Sequence, residues 1–173
     1  GQVPATLPPL SSPPLQLVSR VADRARAALA AAGLAEAITF GFQAQARLDG
    51  LGLPASDRRA QPLAVRNPMS IDQAIMRTSL VPNLLAAIAR NQSFGLPDVG
   101  LFEVGSVFLR ADGHAATGEP SALADEPLRA CIALAGQRPR RLHNDVAPWT
   151  VYDAKGFALA LLDALGVRDV RVE

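Results

Sequence analysis

Apolar residues recur along this chain at two periods, and the switches between them mark out its elements. From about Leu15 to Ala32, Val18, Val21, Ala22, Ala25, Ala28, Leu29 and Ala32 fall on one helical stripe, with Arg20, Asp23, Arg24 and Arg26 off it. Gly33 stops this amphipathic helix. Its second side carries Ala27, Ala30 and Ala31, which either admit another helix closely or reflect alanine's high helix propensity. Ile38-Thr39-Phe40-Gly41-Phe42 reads as a strand, residues 43 to 61 as a polar connection with one short helical turn, and Leu63 to Arg66 as a short strand before the turn signal Asn67-Pro68. Thr78 or Ser79 is suited to cap a helix in which Leu80, Val81, Leu84, Leu85 and Ile88 form the buried stripe while Asn83 and Arg90 face away. Pro82 is tolerated there because first-turn amides lack helical partners.

Val99 to Leu109 carries apolar residues on both alternating faces, as a central strand covered on two sides requires. Residues 111 to 127, with Gly113, Gly118, Pro120 and Pro127, read as a variable loop leading into a strand around Cys131. Asp153 is placed to cap a last helix with the stripe Phe157, Ala158, Leu161, Leu162 and Leu165, ended by Gly166, after which Val167 to Val172 reads as a closing strand. These elements predict an α+β domain, a mostly antiparallel sheet with flanking helices, over residues 15–173. Residues 1–14, with Pro4, Pro8, Pro9, Pro13 and Pro14, read as an interdomain linker.

Composition narrows the partners little. The 17 basic and 16 acidic residues nearly cancel, so no charge excess announces nucleic acid or a membrane surface. No apolar run reaches the roughly 18 residues that span a bilayer, and the start has no signal-peptide pattern. The single cysteine, Cys131, has no disulfide partner and suits a reducing, cytoplasmic setting, buried in its strand. The missing initiator Met and the end at Glu173 point to a domain cut from a longer protein.

Chemistry-bearing clusters are sparse. His114 and His143 sit in predicted loops without Cys, His, Asp or Glu at metal-ligand spacing, so no metal site is expected. Gly100 and Gly105 flank a strand rather than open a helix, which excludes a phosphate loop. Arg138, Arg140 and Arg141 around Pro139 are candidate contacts to an RNA backbone, or simply solvated. Arg77 and Glu103 are each embedded in a largely apolar element, where an unpaired charge is costly. A structural ion pair explains them more economically than a ligand role.

Three stretches carry a resemblance: Asn67-Pro68-Met69-Ser70, then Met76-Arg77-Thr78-Ser79-Leu80-Val81-Pro82-Asn83-Leu84-Leu85, then Asp98-Val99-Gly100-Leu101-Phe102-Glu103-Val104-Gly105-Ser106-Val107-Phe108. Together they resemble the hallmark stretch of bacterial phenylalanine-tRNA ligase β subunits. Val3-Pro4-Ala5-Thr6-Leu7-Pro8, Gly33-Leu34 with Glu36-Ala37-Ile38-Thr39, and Asp153-Ala154-Lys155-Gly156 are similar to that family's linker, first helix-to-strand turn and later helix start. The resemblance implies a class II aminoacyl-tRNA synthetase-like fold within an enzyme of two α and two β subunits. That enzyme uses ATP and Mg²⁺ to join phenylalanine to its tRNA, with the chemistry in α and this β domain as a non-catalytic counterpart. The family's metal-binding acidic residues and editing site precede this segment and are not carried over.

The second class II signature places an arginine on a sheet strand, with an acidic residue two positions on, to hold the adenylate as charge develops. In Gly105-Ser106-Val107-Phe108-Leu109-Arg110-Ala111 those two positions are Leu109 and Ala111, and Arg110 points to the other face. The third signature would lie beyond Glu173, so no catalytic and no cofactor-binding residue is assigned. The first signature, a helix and strand used for subunit contact, corresponds to the helix from Leu15 to Ala32 and its following strand. Arg24, Ala27, Ala28 and Ala31, with the embedded charges Arg77 and Glu103, are therefore the candidate interface residues toward the α subunit. The alternative is a free-standing class II-like module that kept the fold and lost catalysis. A relative of biotin ligases would need a glycine-rich nucleotide loop and a cation aimed at phosphate, and the sequence has neither.

Overall fold

A computed structural model describes residues 17–111, 124–139 and 146–170. The linker, His114, His143, Arg140, Arg141 and residues 171–173 lie outside these. Helix α1 spans Leu17–Ala31 and is followed by strand β1, Ala35–Glu36. Then come β2 (Phe42–Gln43), α2 (Gln45–Asp49), β3 (Ile75–Met76), α3 (Val81–Ser93), β4 (Val99–Ser106), β5 (Leu128–Ala135) and α4 (Val151–Ala164). Single 3₁₀ turns occupy Arg58–Ala60 and Ile71–Gln73.

β4 is the centre of a three-stranded sheet in the order β1-β4-β5. It pairs antiparallel with β5 over its whole length, while the short β1 joins it in parallel, so the sheet is mixed. β2 and β3 form a separate antiparallel pair. Side chains alternate across a strand, and β4 uses both faces. Phe102 and Val104 bury against Ala22, Ala25 and Leu29 of α1 and against Phe157, Leu161 and Leu165 of or beside α4. On the opposite face, Val107 and Leu109 pack with Leu80, at the start of α3, and with Cys131 of β5. The two-sided pattern read from Val99 to Leu109 is thus a strand with helices on either side.

Helix termini follow local chemistry. Past α1, Gly33 adopts φ +99°, its N–H donates to the Ala30 carbonyl, and the Leu34 N–H donates to the Leu29 carbonyl, while Leu34 and Leu29 enter the same core. This is a Schellman ending, which a glycine adopts without steric cost. α3 and α4 end in the same way, at Gly95 and Gly166. At the start of α4 the cap is Thr150 rather than Asp153. The Thr150 Oγ1 accepts from the Asp153 N–H, and the Asp153 carboxylate accepts from the Thr150 N–H, a reciprocal box that places the acid inside the first turn.

Several expected elements take another form. Of the expected strand Ile38–Phe42, Phe42 alone falls in one, as the first residue of β2, and Ile38 and Phe40 point outward, 89% and 74% exposed. Leu63 to Arg66 reduces to an isolated bridge from Ala64 to Ile75. Residues 167–170 form no strand. In α3, Asn83 is buried and Leu85 half-exposed, the reverse of the helical-stripe reading. The Asn83 Nδ2 donates to the carbonyls of Phe40 and Phe42, a demand of the irregular segment that periodicity does not register. The cap position of α3 is Leu80, one residue later than expected, while the Ser79 Oγ accepts from the Val81 N–H at the head of the helix. Thr78 Oγ1 instead donates to the Arg59 carbonyl. Val18 and Val21, at the exposed start of α1, are not part of the buried stripe. Cys131 is half-buried rather than buried.

Candidate functional site

The charges singled out in the sequence meet inside the chain. Arg77 follows β3, Glu103 sits in mid-β4, and the two residues are 6% and 2% exposed. Their Nη1 and Oε1 atoms are 2.5 Å apart. A buried pair is sustained only when its remaining donors and acceptors are largely met, and here most of them are. Arg77 Nε donates to the Ser106 carbonyl and Nη1 also to Thr39, while both Glu103 oxygens accept from Thr39, through its N–H and its Oγ1. Thr39 therefore turns inward, which leaves Ile38 and Phe40 outside. Gly105 completes the arrangement: a Cβ there would lie 2.5 Å from Arg77 Nη2. Within this chain Arg77 and Glu103 thus form a structural pair.

At the end of β4, the stretch comparable to the second class II signature presents no phosphate-binding group. Leu109 is buried, and its N–H and carbonyl exchange hydrogen bonds with Asp125. The Arg110 guanidinium is engaged by the carbonyls of Gln61 and Pro62. A cavity of about 200 Å³ lies over this strand end, bounded by Leu80, Val107, Leu109 and Cys131 with Arg59 and Arg129 among its lining residues. It is smaller than the roughly 300–1,000 Å³ of ordinary ligand sites. Arg59 is already doubly hydrogen-bonded to Asp57, an exchange that lowers the Asp57 carboxyl to about 2 and raises the arginine. Arg129 donates to the Leu128 carbonyl. Burial, and then the Glu103 charge, push the Cys131 thiol up, away from the thiolate that a nucleophile needs.

The remaining candidates lie apart from this cavity. Arg24, Ala27 and Ala31 are exposed on α1 and Ala28 is half-buried. α1 is tied to the sheet by Arg26, which donates to Glu36 and to the Val104 carbonyl. Arg138 pairs with Asp153 at 3.2 Å, which joins the loop after β5 to the start of α4. Hydrogen bonds from Thr150, then the charge of and a bond from Arg138, hold the Asp153 carboxyl low. Among the described residues no group of three or more His, Cys, Asp or Glu is placed to hold a metal ion, and no helix is long and apolar enough to cross a membrane. Sequence reasoning missed Thr39, Gly105 and the Asp57-Arg59 pair. The signals were a lone threonine between two large apolar residues and an aspartate two positions before an arginine.

Comparison with known proteins agrees with this geometry. Residues 3–173 match the family described as the phenylalanyl tRNA synthetase beta chain CLM domain. The chain is 40% identical over 171 residues to the phenylalanine–tRNA ligase beta subunit of Anaeromyxobacter dehalogenans, covering 95% of this chain and 20% of that protein. It is 38% identical over 149 residues to the beta subunit of Geobacter sulfurreducens, covering 86% and 18%. The chain thus spans about a fifth of the length of these curated relatives. Among solved structures, pyrrolysyl-tRNA synthetase from Desulfitobacterium hafniense superposes with a TM-score of 0.64 at 14% identity, over 91% of this chain and 50% of that one, which establishes a class II synthetase fold. The chain belongs to the phenylalanyl-tRNA synthetase β-chain CLM domain family.

Proposed function

We propose that this domain is a non-catalytic scaffold within the β subunit of a phenylalanine–tRNA ligase and that it holds the α subunit in an α₂β₂ enzyme in the cytoplasm. The whole enzyme would attach phenylalanine to its tRNA with ATP and Mg²⁺. The observation that carries the reading is the end of β4, where a buried leucine and an alanine stand in place of a guanidinium and a carboxylate. The residues here do not fit ATP or Mg²⁺, because the two positions that would hold the adenylate are a buried leucine and an alanine, the adjoining cavity is only about 200 Å³, and no acidic cluster is present among the described residues. Both cofactors would be held elsewhere in the enzyme.

Two features support the contact with α. On α1, Leu17, Val21, Arg24, Ala28 and Ala31 follow one another at spacings of four, three, four and three residues, and all are exposed or half-exposed. That is the spacing at which a helix meets another helix, and small residues in the stripe let the two axes approach closely. Leu17 and Val21 add exposed apolar surface to this face. Contact with tRNA, if made here, would fall to Arg138, Arg140 and Arg141, of which Arg138 is already paired.

Co-expression of the full β subunit with α, followed by sizing, tests the proposal. The wild type should elute as one α–β complex. Ala27→Glu with Ala31→Glu should shift it toward separate subunits while the thermal midpoint of the β subunit stays within about 2 °C, since exposed substitutions change folding stability little. A wild-type β subunit that never co-elutes with α would defeat the reading.

A further inference from the structure

A second surface lies around the corner from α1. A groove of about 580 Å³ runs between the segment leading into β2 and one side of α3, with Phe40 and Phe42 on one wall, Ala86, Ala89 and Arg90 on the other, and Arg47 of α2 beside them. The first wall is held in place from beneath, because Asn83 fastens the carbonyls of both phenylalanines. Its apolar side chains are turned outward by the inward pull of Thr39 on the Arg77–Glu103 pair. Alanines make the second wall low enough for a polypeptide backbone to approach. Beyond it Phe94 is also exposed, with the Arg90 guanidinium 5.5 Å from its ring centre.

The two arginines define the complement. Neither Arg47 nor Arg90 has a carboxylate partner among the described residues, although Asp23, Asp57, Asp125 and Asp153 all pair elsewhere. Aromatic side chains flanked by unpaired arginines are the composition of a protein-binding centre. Aromatic and arginine side chains also suit single-stranded nucleic acid. However, the outward row begins at Ile38, which has no ring to stack on a base, and the chain carries a net charge of only +1. We infer that this groove receives an acidic segment of the α subunit, with an apolar side chain seated between Phe40 and Phe42 and carboxylates facing Arg47 and Arg90. The inference rests on the scaffold reading above and adds to it a second contact, distinct from the stripe on α1.

The test uses the full β subunit co-expressed with α. Arg47→Gln with Arg90→Gln should weaken association about tenfold at 0.1 M salt, as loss of charge pairs at an interface does. The same variant should flatten the salt dependence seen in the wild type, with the β subunit's thermal midpoint unchanged. A charge-retaining Arg47→Lys, Arg90→Lys variant should recover part of the loss. Unchanged association and salt dependence would overturn the inference while leaving the scaffold reading intact, because wild-type co-elution reports on that reading separately. Intact association with weakened tRNA binding would also overturn it, by making the groove an RNA face.

Discussion

Removing Arg77 and removing the whole Arg77–Glu103 pair are different physical operations. Arg77→Met leaves Glu103 at the centre of β4 with its strongest donor gone and no solvent in reach. Stranding a buried charge in this way costs about 3–5 kcal/mol. Arg77→Met with Glu103→Leu removes both charges, and since apolar replacement of a buried pair is often neutral or better, the double variant should be more stable than the single one. Urea unfolding of this domain measures both. A double variant no more stable than Arg77→Met would mean that the arginine acts chiefly through Thr39 and Ser106. Asp57 gives a second prediction at this scale. Its carboxyl lies at about 2 against an ordinary 3.8 because of the hydrogen bonds from Arg59. A depressed carboxylate contributes stability that is complete above the unfolded value and is lost as pH falls through the folded one, so this contribution fades between about pH 4 and pH 2. An NMR titration should find the Asp57 midpoint near 2, and Arg59→Gln should return it toward 3.8. Both charges of the buried pair were legible in the sequence because each interrupts an apolar run. The parts of Thr39 and Gly105, which make the pair tolerable, were not, since they lie 64 and 28 residues from Glu103 and Arg77 respectively, and a lone threonine between two large apolar residues marks an exception without saying what it touches.

At the scale of elements, legibility depended on whether the deciding interactions were local. α4 was readable at both ends, and α1 at its C-terminal end, because glycine endings and capping residues act within a few positions. The slip at the start of α4, Asp153 in place of Thr150, is a displacement inside a single reciprocal box whose two members each bond the other's backbone. β4 was readable because it is covered on both faces, so that its continuous apolar run has a cause within the fold. Ile38–Phe42 shows the opposite case. Its apolar residues alternate as they would on a buried strand face, yet the odd-numbered positions are the ones turned inward, Thr39 onto the ion pair and Gly41 to accept from the Arg77 N–H. The alternation was correctly seen, and its apolar face serves a surface outside this chain's own core. Asn83 belongs to the same account, since an amide on a helix is drawn inward by two carbonyls that have no ladder partner.

For the molecule as a whole, the consequence is that the sheet face past the end of β4, the stretch comparable to the second class II signature, is here part of the core. Leu80 at the head of α3 seals Val107, Leu109 and Cys131, and what remains is a space of about 200 Å³. That packing leaves little room for an adenylate at this strand end, and introducing two side chains should not create a nucleotide site. Leu109→Arg with Ala111→Glu would place a guanidinium where leucine is 7% exposed and its neighbours are apolar. Burying an unmatched polar group costs about 2 kcal/mol or more, and a guanidinium at 109 would have to crowd the small adjoining cavity or push against Leu80 at the head of α3. The expected result is a lower unfolding free energy in urea and no heat of ATP binding by calorimetry, for the variant as for the wild type. Were the variant to bind ATP while keeping its stability, the face would have to be openable at little cost, and the filled core would no longer support the proposed non-catalytic role.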